Sequence, residues 1–297
     1  MLRSVRVSLL AFALIALPLG VLAWAGIGAS MRQLAHAREV AAEQTLGAVA
    51  ALLADTQEAL RREAVLLSRD PGIIEGAVKG DWATLARGAS PRILAVTREG
   101  FADLVVVRDL RGSPLVQVPA LPPLALPAIP PDFEPTVALR AVNGRPYFLA
   151  AVPIFAGASP QDGARVPVGL VVVGRRFEAL GRLIDRVPSR PGVLFVAGDR
   201  LLGSTRPDAP LEGWTARLGR GGVTLGREPF ILRPLGAAAA GSPDGSLWAL
   251  VPDGEFRHAQ RKLWLWLTAL LGVAALILAA GVAVLTRREG GRRRGPA

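Results

Sequence analysis

Thr136–Phe155 reads TVALRAVNGRPYFLAAVPIF, and the fold turns on how this stretch is understood. Two apolar, β-prone runs flank Asn143-Gly144. Asn-Gly is the preferred pair for a two-residue primed turn, because both central positions need positive φ. The pattern predicts an antiparallel hairpin from Val137 to Phe155, with Arg140 and Tyr147 on one strand pair. Downstream, a polar loop from Ala156 to Val166 leads to the β-branched run Val168–Val173. Phe177, Leu180, Leu183, Ile184 and Val187 then recur at helical spacing and predict a short amphipathic helix. Upstream, Leu104–Arg108 and Leu115–Val118 flank Asp109-Leu110-Arg111-Gly112. An aspartate at the turn entry and a glycine able to take positive φ predict a second hairpin there. Between the two hairpins, Pro119–Pro135 holds seven prolines in seventeen residues. Lacking N–H donors, that stretch cannot continue a central strand and reads as an extended surface connection.

A shorter version of the pattern follows. Val193–Ala197 and Arg200–Ser204 flank Gly198-Asp199, and Val223–Leu225, Phe230–Arg233 and Leu247–Val251 are further strands separated by Gly and Pro. Helices precede all of this. Met31–Ser68 has no proline, one glycine and mostly strong helix formers. Its 38 residues would extend about 57 Å. Leu46, Leu53, Leu60 and Leu67 recur every seven residues, but Thr56, Gln57 and Glu63 interrupt a second seam. The stripe therefore predicts packing on the chain's own domain, with pairing of part of it to a second copy as the sharper alternative. Asp70-Pro71 and Gly80-Asp81 read as helix boundaries. They predict one helix after Asp70 and another from Trp82 to about Thr97.

The two ends are of a different character. Leu263–Leu285 is apolar over 23 residues except for Thr268. At about 1.5 Å per residue it spans roughly 35 Å, enough for a bilayer core of about 30 Å. Val7–Ile27 is a second apolar span. It reads as an uncleaved anchor or as a signal peptide cut after Ala25 or Ala29; its length favours the anchor. The net charge of +11 divides unevenly. Arg3 and Arg6 lie before the first span, and RREGGRRRGPA follows Thr286. Residues 30–262 carry only 28 basic against 23 acidic side chains. The excess at both ends is the positive-inside pattern, and no basic stripe interleaved with aromatics invites nucleic acid. The expected organisation is a cytoplasmic N-terminus (1–6), a first membrane helix (7–29), an extracytoplasmic region (30–262), a second membrane helix (263–286) and a basic cytoplasmic tail (287–297). Within the outer region fall a stalk helix (30–70), a distal module (71–190) and a proximal module (191–256). Asp253 is expected to cap a helix that runs on into the second span as one rod. The location implied is a bacterial inner (plasma) membrane, two-pass, with the main domain periplasmic or extracellular.

This order of elements resembles the double CACHE family of bacterial extracytoplasmic sensors over roughly residues 31–256. LVVVRDLRGSPLVQV is similar to the opening hairpin of such a module. RPYFLAAVPIF with VPVGLVVVGRRF resembles its central strands, and GVLFVAGDRLLGSTRP the opening hairpin of a membrane-proximal module. The resemblance implies an α+β fold: a long N-terminal stalk helix, then two PAS-like antiparallel-sheet modules, flanked by two transmembrane helices. It also implies a small ligand in the outer module and a dimer. The ligand motif of the amino-acid-sensing members is absent, so no site residue is carried over.

Chemistry-bearing motifs are sparse. Cysteine is absent, so there is neither a disulfide framework nor thiolate chemistry. His36 and His258 make no H-E-x-x-H pair, and neither a P-loop nor a G-x-S-x-G elbow occurs. Catalytic residues, metal and cofactor are expected to be none, and the chain is not expected to be an enzyme. For ligand binding, Asp103, Arg140 and Tyr147 are the candidates, because an acid, a guanidinium and a phenol on one sheet face suit a carboxylate or amine. The expected partners are the lipid bilayer, a small-molecule ligand, a second copy of the chain and a cytoplasmic signalling protein. The tail after the second span is too short for an output domain, so the receiver is expected in another chain, or in a downstream part split from this one. The function expected is a membrane-anchored sensor that passes a conformational signal through the second membrane helix in a two-component-type system. The alternative is a structural or assembly protein of the envelope.

Overall fold

The computed structural model describes residues 2–88, 90–119, 136–158, 165–236 and 245–292. They fall into two compact units: Ala42–Pro252, and the two chain ends Met1–Ala41 with Asp253–Ala297.

In the larger unit the Asn143-Gly144 turn forms as read. Both residues have positive φ, 50° and 74°, as a type I′ turn requires. The turn joins β3 (Thr136–Val142) to β4 (Arg145–Ala158). β1 (Leu104–Asp109) and β2 (Pro114–Val118) make the earlier hairpin, and β5 (Arg165–Arg176) inserts between β1 and β4. The sheet order is β2-β1-β5-β4-β3, antiparallel throughout. A second sheet contains β6 (Gly192–Ala197), β7 (Arg200–Ser204), β8 (Gly222–Leu225), β9 (Glu228–Pro234) and β10 (Ser246–Pro252). Its order is β7-β6-β10-β9-β8. Counted from its own first strand, that is 2-1-5-4-3 again. The unit is therefore α+β with two PAS-like sheets of the same topology in tandem.

One long helix, α1 (Leu2–Ser68), supports both sheets. Within the larger unit its buried stripe includes Val49, Leu53, Leu60, Ala64 and Leu67, while Leu46 is half-buried. Three of the four heptad leucines thus pack fully on the chain's own domain. The stripe belongs to one hydrophobic cluster with Val105, Phe148 and Val171 of the distal sheet and Val193, Phe195 and Ala249 of the proximal one. Phe177 bridges the sheets: its ring centroid lies 6.0 Å from that of Phe148 and 6.4 Å from that of Phe195. Close approach is also required at Gly203 on β7, where a Cβ would come within 2.4 Å of the Pro146 ring on β4.

The small helices follow local rules with two departures. α2 (Pro71–Lys79) is capped by the Asp70 carboxylate, which accepts from the N–H groups of Gly72 and Ile73, and it ends at left-handed Gly80. Asp81 caps the next helix through Ala83 and Thr84. That helix was expected to reach about Thr97; the backbone is helical over Trp82–Gly88 (α3) and Ser90–Arg98 (α4), and Ala89 between them lies outside the described residues. The helix expected after β5 is a 3₁₀ turn, Phe177–Leu180, and one α turn, α5 (Gly181–Ile184), which stops before Pro188. An additional helix, α6 (Trp214–Arg220), had no local signal. Its N-cap is Gly213, which offers no side chain. The cap comes from Asp199 in the β6–β7 turn, whose carboxylate accepts from Gly213 and Thr215 N–H. These bonds hold the Asp199 carboxyl below the usual range.

In the smaller unit the backbone is helical through the first apolar segment, with Pro18 inside α1. The side chains of the first seventeen residues lie outside the described set. α7 (Gly254–Arg292) is one continuous helix, so the expected rod is present. Among the described residues it is the one helix long and apolar enough to cross a membrane, with mean hydropathy 2.3 and none of the most apolar window buried. Thr268, its one polar residue in the apolar stretch, donates to the carbonyls of Trp264 and Leu265 and leaves no unsatisfied hydroxyl. Asp253 stands at the start of α7, and its backbone carbonyl accepts from Arg257 N–H. Its carboxylate does not cap the helix as expected. It takes two 2.7 Å hydrogen bonds from Arg38 Nε and Nη2 on α1, and a 3.0 Å bond from Arg257 Nε.

Phe177 joins both sheets to one core, so Phe177→Ala is expected to lower the unfolding free energy by about 3–5 kcal/mol. Leu211→Ala, at a side chain 73% exposed, should change it by less than about 0.5 kcal/mol. Urea denaturation followed by circular dichroism checks both.

Candidate ligand-binding face of the distal sheet

Side chains alternate across a strand, so each sheet has two faces. The distal sheet turns Val105, Val107, Phe148, Ala150, Val171 and Val173 to the cluster built on α1 to α4. Its other face carries Leu104, Val106, Val142, Tyr147, Leu149, Leu170 and Val172, which form a separate buried cluster. At one end of that second face three polar side chains stand side by side. Arg140 on β3 is paired with Tyr147 on β4, and Tyr147 with Arg176 on β5. Directly paired residues point the same way and lie about 5 Å apart.

Tyr147 is 4% exposed. The Arg176 guanidinium interacts with its phenol, and this neighbour is the main reason that guanidinium holds its proton more tightly than usual. Burial opposes the effect, while Asp103 and Glu178 add to it. The Arg176 Nε is screened from water and has no hydrogen-bond partner among the described residues. A buried N–H donor of this kind is a place where an acceptor would be welcome. The Nε atoms of Arg140 and Arg175 are likewise removed from water, but Arg175 pairs with Phe148 and so belongs to the opposite face.

The structure therefore brings two of the three expected residues together, Arg140 and Tyr147. Asp103 is close by but is committed elsewhere. Its Oδ2 accepts from the backbone N–H of Arg176 at 2.8 Å, and its own N–H donates to Gly174 O at 2.8 Å. It closes the last rung between β1 and β5. Arg176 is the residue that sequence reasoning missed. The strand was expected to end at Val173, whereas β5 continues to Arg176. The even positions Leu170, Val172, Gly174 and Arg176 share a face, and that alternation was the available signal. Arg108 lies on the same face at the far end of β1. Burial pushes its pKa down against the pull of Asp109, and its Nε donates to Gly112 O in the β1–β2 turn.

The equivalent face of the proximal sheet is filled. Trp214 of α6 is fully buried there with Leu194, Phe230, Leu232 and Leu250, and its Nε1 donates to Pro210 O at 2.7 Å. The guanidinia of Arg206 and Arg217 stack over Phe230 and Trp214 at 5.2 and 5.5 Å. Among the described residues no group of three or more His, Asp or Glu could hold a metal ion.

Known proteins are similar in overall form. No family model matches the chain, and no curated protein matches it. Among solved structures, the sensor domain of the Vibrio cholerae histidine kinase DctB is 13% identical. It covers 72% of this chain and 98% of its own, with a TM-score of 0.44. The periplasmic domain of V. cholerae LuxQ is 13% identical, covers 70% and 98%, and gives 0.44. The ligand-binding domain of the Pseudomonas aeruginosa chemoreceptor PctC, solved with GABA, is 14% identical, covers 71% and 95%, and gives 0.41. Likeness at this level says nothing of ligand or partner. The repeated 2-1-5-4-3 strand order behind one long helix is independent of it. That order defines the fold: an α+β arrangement of two PAS-like antiparallel sheets in tandem behind one long helix.

If Asp103 is a structural rung, Asp103→Ala should cost about 1–2 kcal/mol of stability by stranding the Arg176 N–H. Asp103→Asn, which keeps an acceptor oxygen, should cost less than half of that. Thermal unfolding of both variants checks the assignment; equal losses would contradict it.

Proposed function

We propose that the chain is a membrane-anchored extracytoplasmic sensor whose distal module binds a small anionic ligand. The observation that carries this reading is the contrast between two equivalent sheet faces. The proximal one is packed around an indole of its own chain, while the distal one, also a buried apolar cluster, ends in Arg140, Tyr147 and Arg176 in a row. Two guanidinia and a phenol suit a carboxylate-bearing molecule, because guanidinium binds carboxylate through parallel N–H bonds. Apolar walls with a few convergent polar groups are the usual make-up of a small-molecule site. This sharpens the sequence-based set: Arg176 takes the place of Asp103.

In this reading residues 7–29 and 263–286 cross the inner membrane, both termini are cytoplasmic, and residues 30–262 lie outside. The outer region comprises the stalk helix (30–70), the distal module (71–190) and the proximal module (191–256). The chain acts as a homodimer and has no catalytic activity. α7 passes the signal to a separate cytoplasmic protein. The support for α7 in that role is its continuity from Gly254 to Arg292, with no break between its outer turns and its apolar stretch.

The test uses the full chain in lipid nanodiscs and a panel of small mono- and dicarboxylates and amino acids. One class is expected to raise the melting temperature; at a hundredfold excess over Kd the stabilisation would be about 2.7 kcal/mol. Arg176→Ala and Arg140→Ala should each weaken that ligand by at least about tenfold, and Tyr147→Phe by a smaller factor. Stabilisation that survives all three substitutions would overturn the site. No response to any small molecule would favour the envelope-assembly reading instead.

A further inference from the structure

The smaller unit contains a groove of about 320 Å³ between α1 and α7 that the proposed sensor site does not use. One part of its lining is apolar: Met31 and Leu34 from α1, Phe256 from α7. The other part is polar: Arg38, Arg257 and Gln260, around the Asp253 carboxylate. Asp253 is 1% exposed and is the only acid in the lining, so it offsets one of the two guanidinia and a charge of +1 remains. It also leaves donors over. Arg38 uses Nε and Nη2, and Arg257 uses Nε alone. Arg38 Nη1 and both terminal nitrogens of Arg257 have no partner among the described residues, and these side chains are 43% and 48% exposed.

The position of the groove along α7 matters most. The apolar stretch begins at Leu263. At about 1.5 Å per residue Gln260 lies about 4.5 Å beyond it and Arg257 about 9 Å. The headgroup region of a leaflet is about 5–8 Å deep. Trp264 and Trp266, 53% and 76% exposed, mark the first turn of the apolar stretch, where aromatic side chains favour the membrane interface. Arg261 and Lys262 flank the same level and carry no nearby acid on their own turn. Gln260 therefore lies at headgroup depth and Arg257 at the outer edge of that layer, with Met31 and Leu34 on the membrane side of Arg38.

We propose that this groove binds one anionic phospholipid of the outer leaflet. Its phosphate accepts hydrogen bonds from the spare nitrogens of Arg38 and Arg257 and from the Gln260 amide. The upper part of an acyl chain lies against Met31 and Leu34, on the membrane side of the phosphate. A free phosphate would meet the donors but leave the apolar wall wet, which is why the occupant is a lipid. Bound there, it bridges α1 and α7 beside the Arg38–Asp253 pair.

The inference rests on α7 being a membrane helix, and the experiment separates the two. The full chain is reconstituted in phosphatidylcholine with and without phosphatidylglycerol, extracted in mild detergent, and weighed by native mass spectrometry. Wild type is expected to retain one phosphatidylglycerol. Arg257→Ala, Gln260→Ala and the groove-filling Ala35→Trp should each reduce retention by about tenfold. Gln260 is exposed and its loss leaves the ion pair intact, so that variant reports on the groove rather than on folding. Inorganic phosphate should not displace the lipid. Equal retention by the three variants, or displacement by phosphate, overturns the proposal. A wild-type chain that alkaline carbonate strips from membranes overturns the membrane reading as well. A chain that stays in the membrane without retained lipid overturns the groove alone.

Discussion

A single apolar stripe on α1 is the constraint from which the rest of the larger unit follows. Leu53, Leu60 and Leu67, spaced by seven, lie in one cluster with strands of both sheets. A five-stranded sheet with one face bare in water would not be stable alone, and each sheet here buries that face in the same continuous core. The backing face of each sheet is thereby fixed, and with it the register, since a slip of one residue would turn every side chain over. The Phe148–Phe177–Phe195 series extends the same core across the junction between the sheets. Gly203 is part of this economy, because any side chain there would hold Pro146 and Phe177 away.

Once one face of each sheet is committed to the helix, the opposite faces become free to differ. The proximal sheet closes its own with α6, whose Trp214 is fully buried among Leu194, Phe230, Leu232 and Leu250. The distal sheet's own buried apolar cluster ends in Arg140, Tyr147 and Arg176. Two modules of the same strand order thus divide into one that is filled by its own chain and one equipped with polar groups. Duplicated topology does not imply duplicated function; the difference lies in which side chains stand on the uncommitted face.

What was legible in the sequence was local. Asn143-Gly144 and Gly198 announced their turns because the positive φ they adopt is open to few other residues. Asp70-Pro71 and Gly80-Asp81 announced helix ends for the same kind of reason. What was not legible depends on residues far apart in the chain. The insertion of β5 between β1 and β4 cannot be read from either strand, and it is this pairing that aligns Arg176 with Tyr147. The cap of α6 comes from Asp199, fourteen residues upstream of Gly213. The candidate site was half visible for this reason. The hairpin gave Arg140 and Tyr147 their shared face, while Asp103 looked available until its partner, the backbone N–H of Arg176, was known.

Asp253 shows the same limit with the larger consequence. By position it reads as a helix cap, and its partner Arg38 lies 215 residues away. The pair is bidentate, with both bonds at 2.7 Å, a geometry that tolerates little displacement. A slide of α7 past α1 by one residue's rise, about 1.5 Å, would lengthen and misalign both bonds unless the guanidinium followed. Removing a buried carboxylate's partner is costly because the charge is left without water or counterion. Arg257, held by one bond on the same helix as the slide, would follow Asp253 and compensate only in part. In a sensor of the proposed kind, a simple piston of α7 against α1 is therefore the motion that this junction resists. The motion it permits is one in which the outer turns of α1 and α7 move together. A signal carried that way would reach the membrane as a displacement of both helices of the chain, relative to whatever stands beside them.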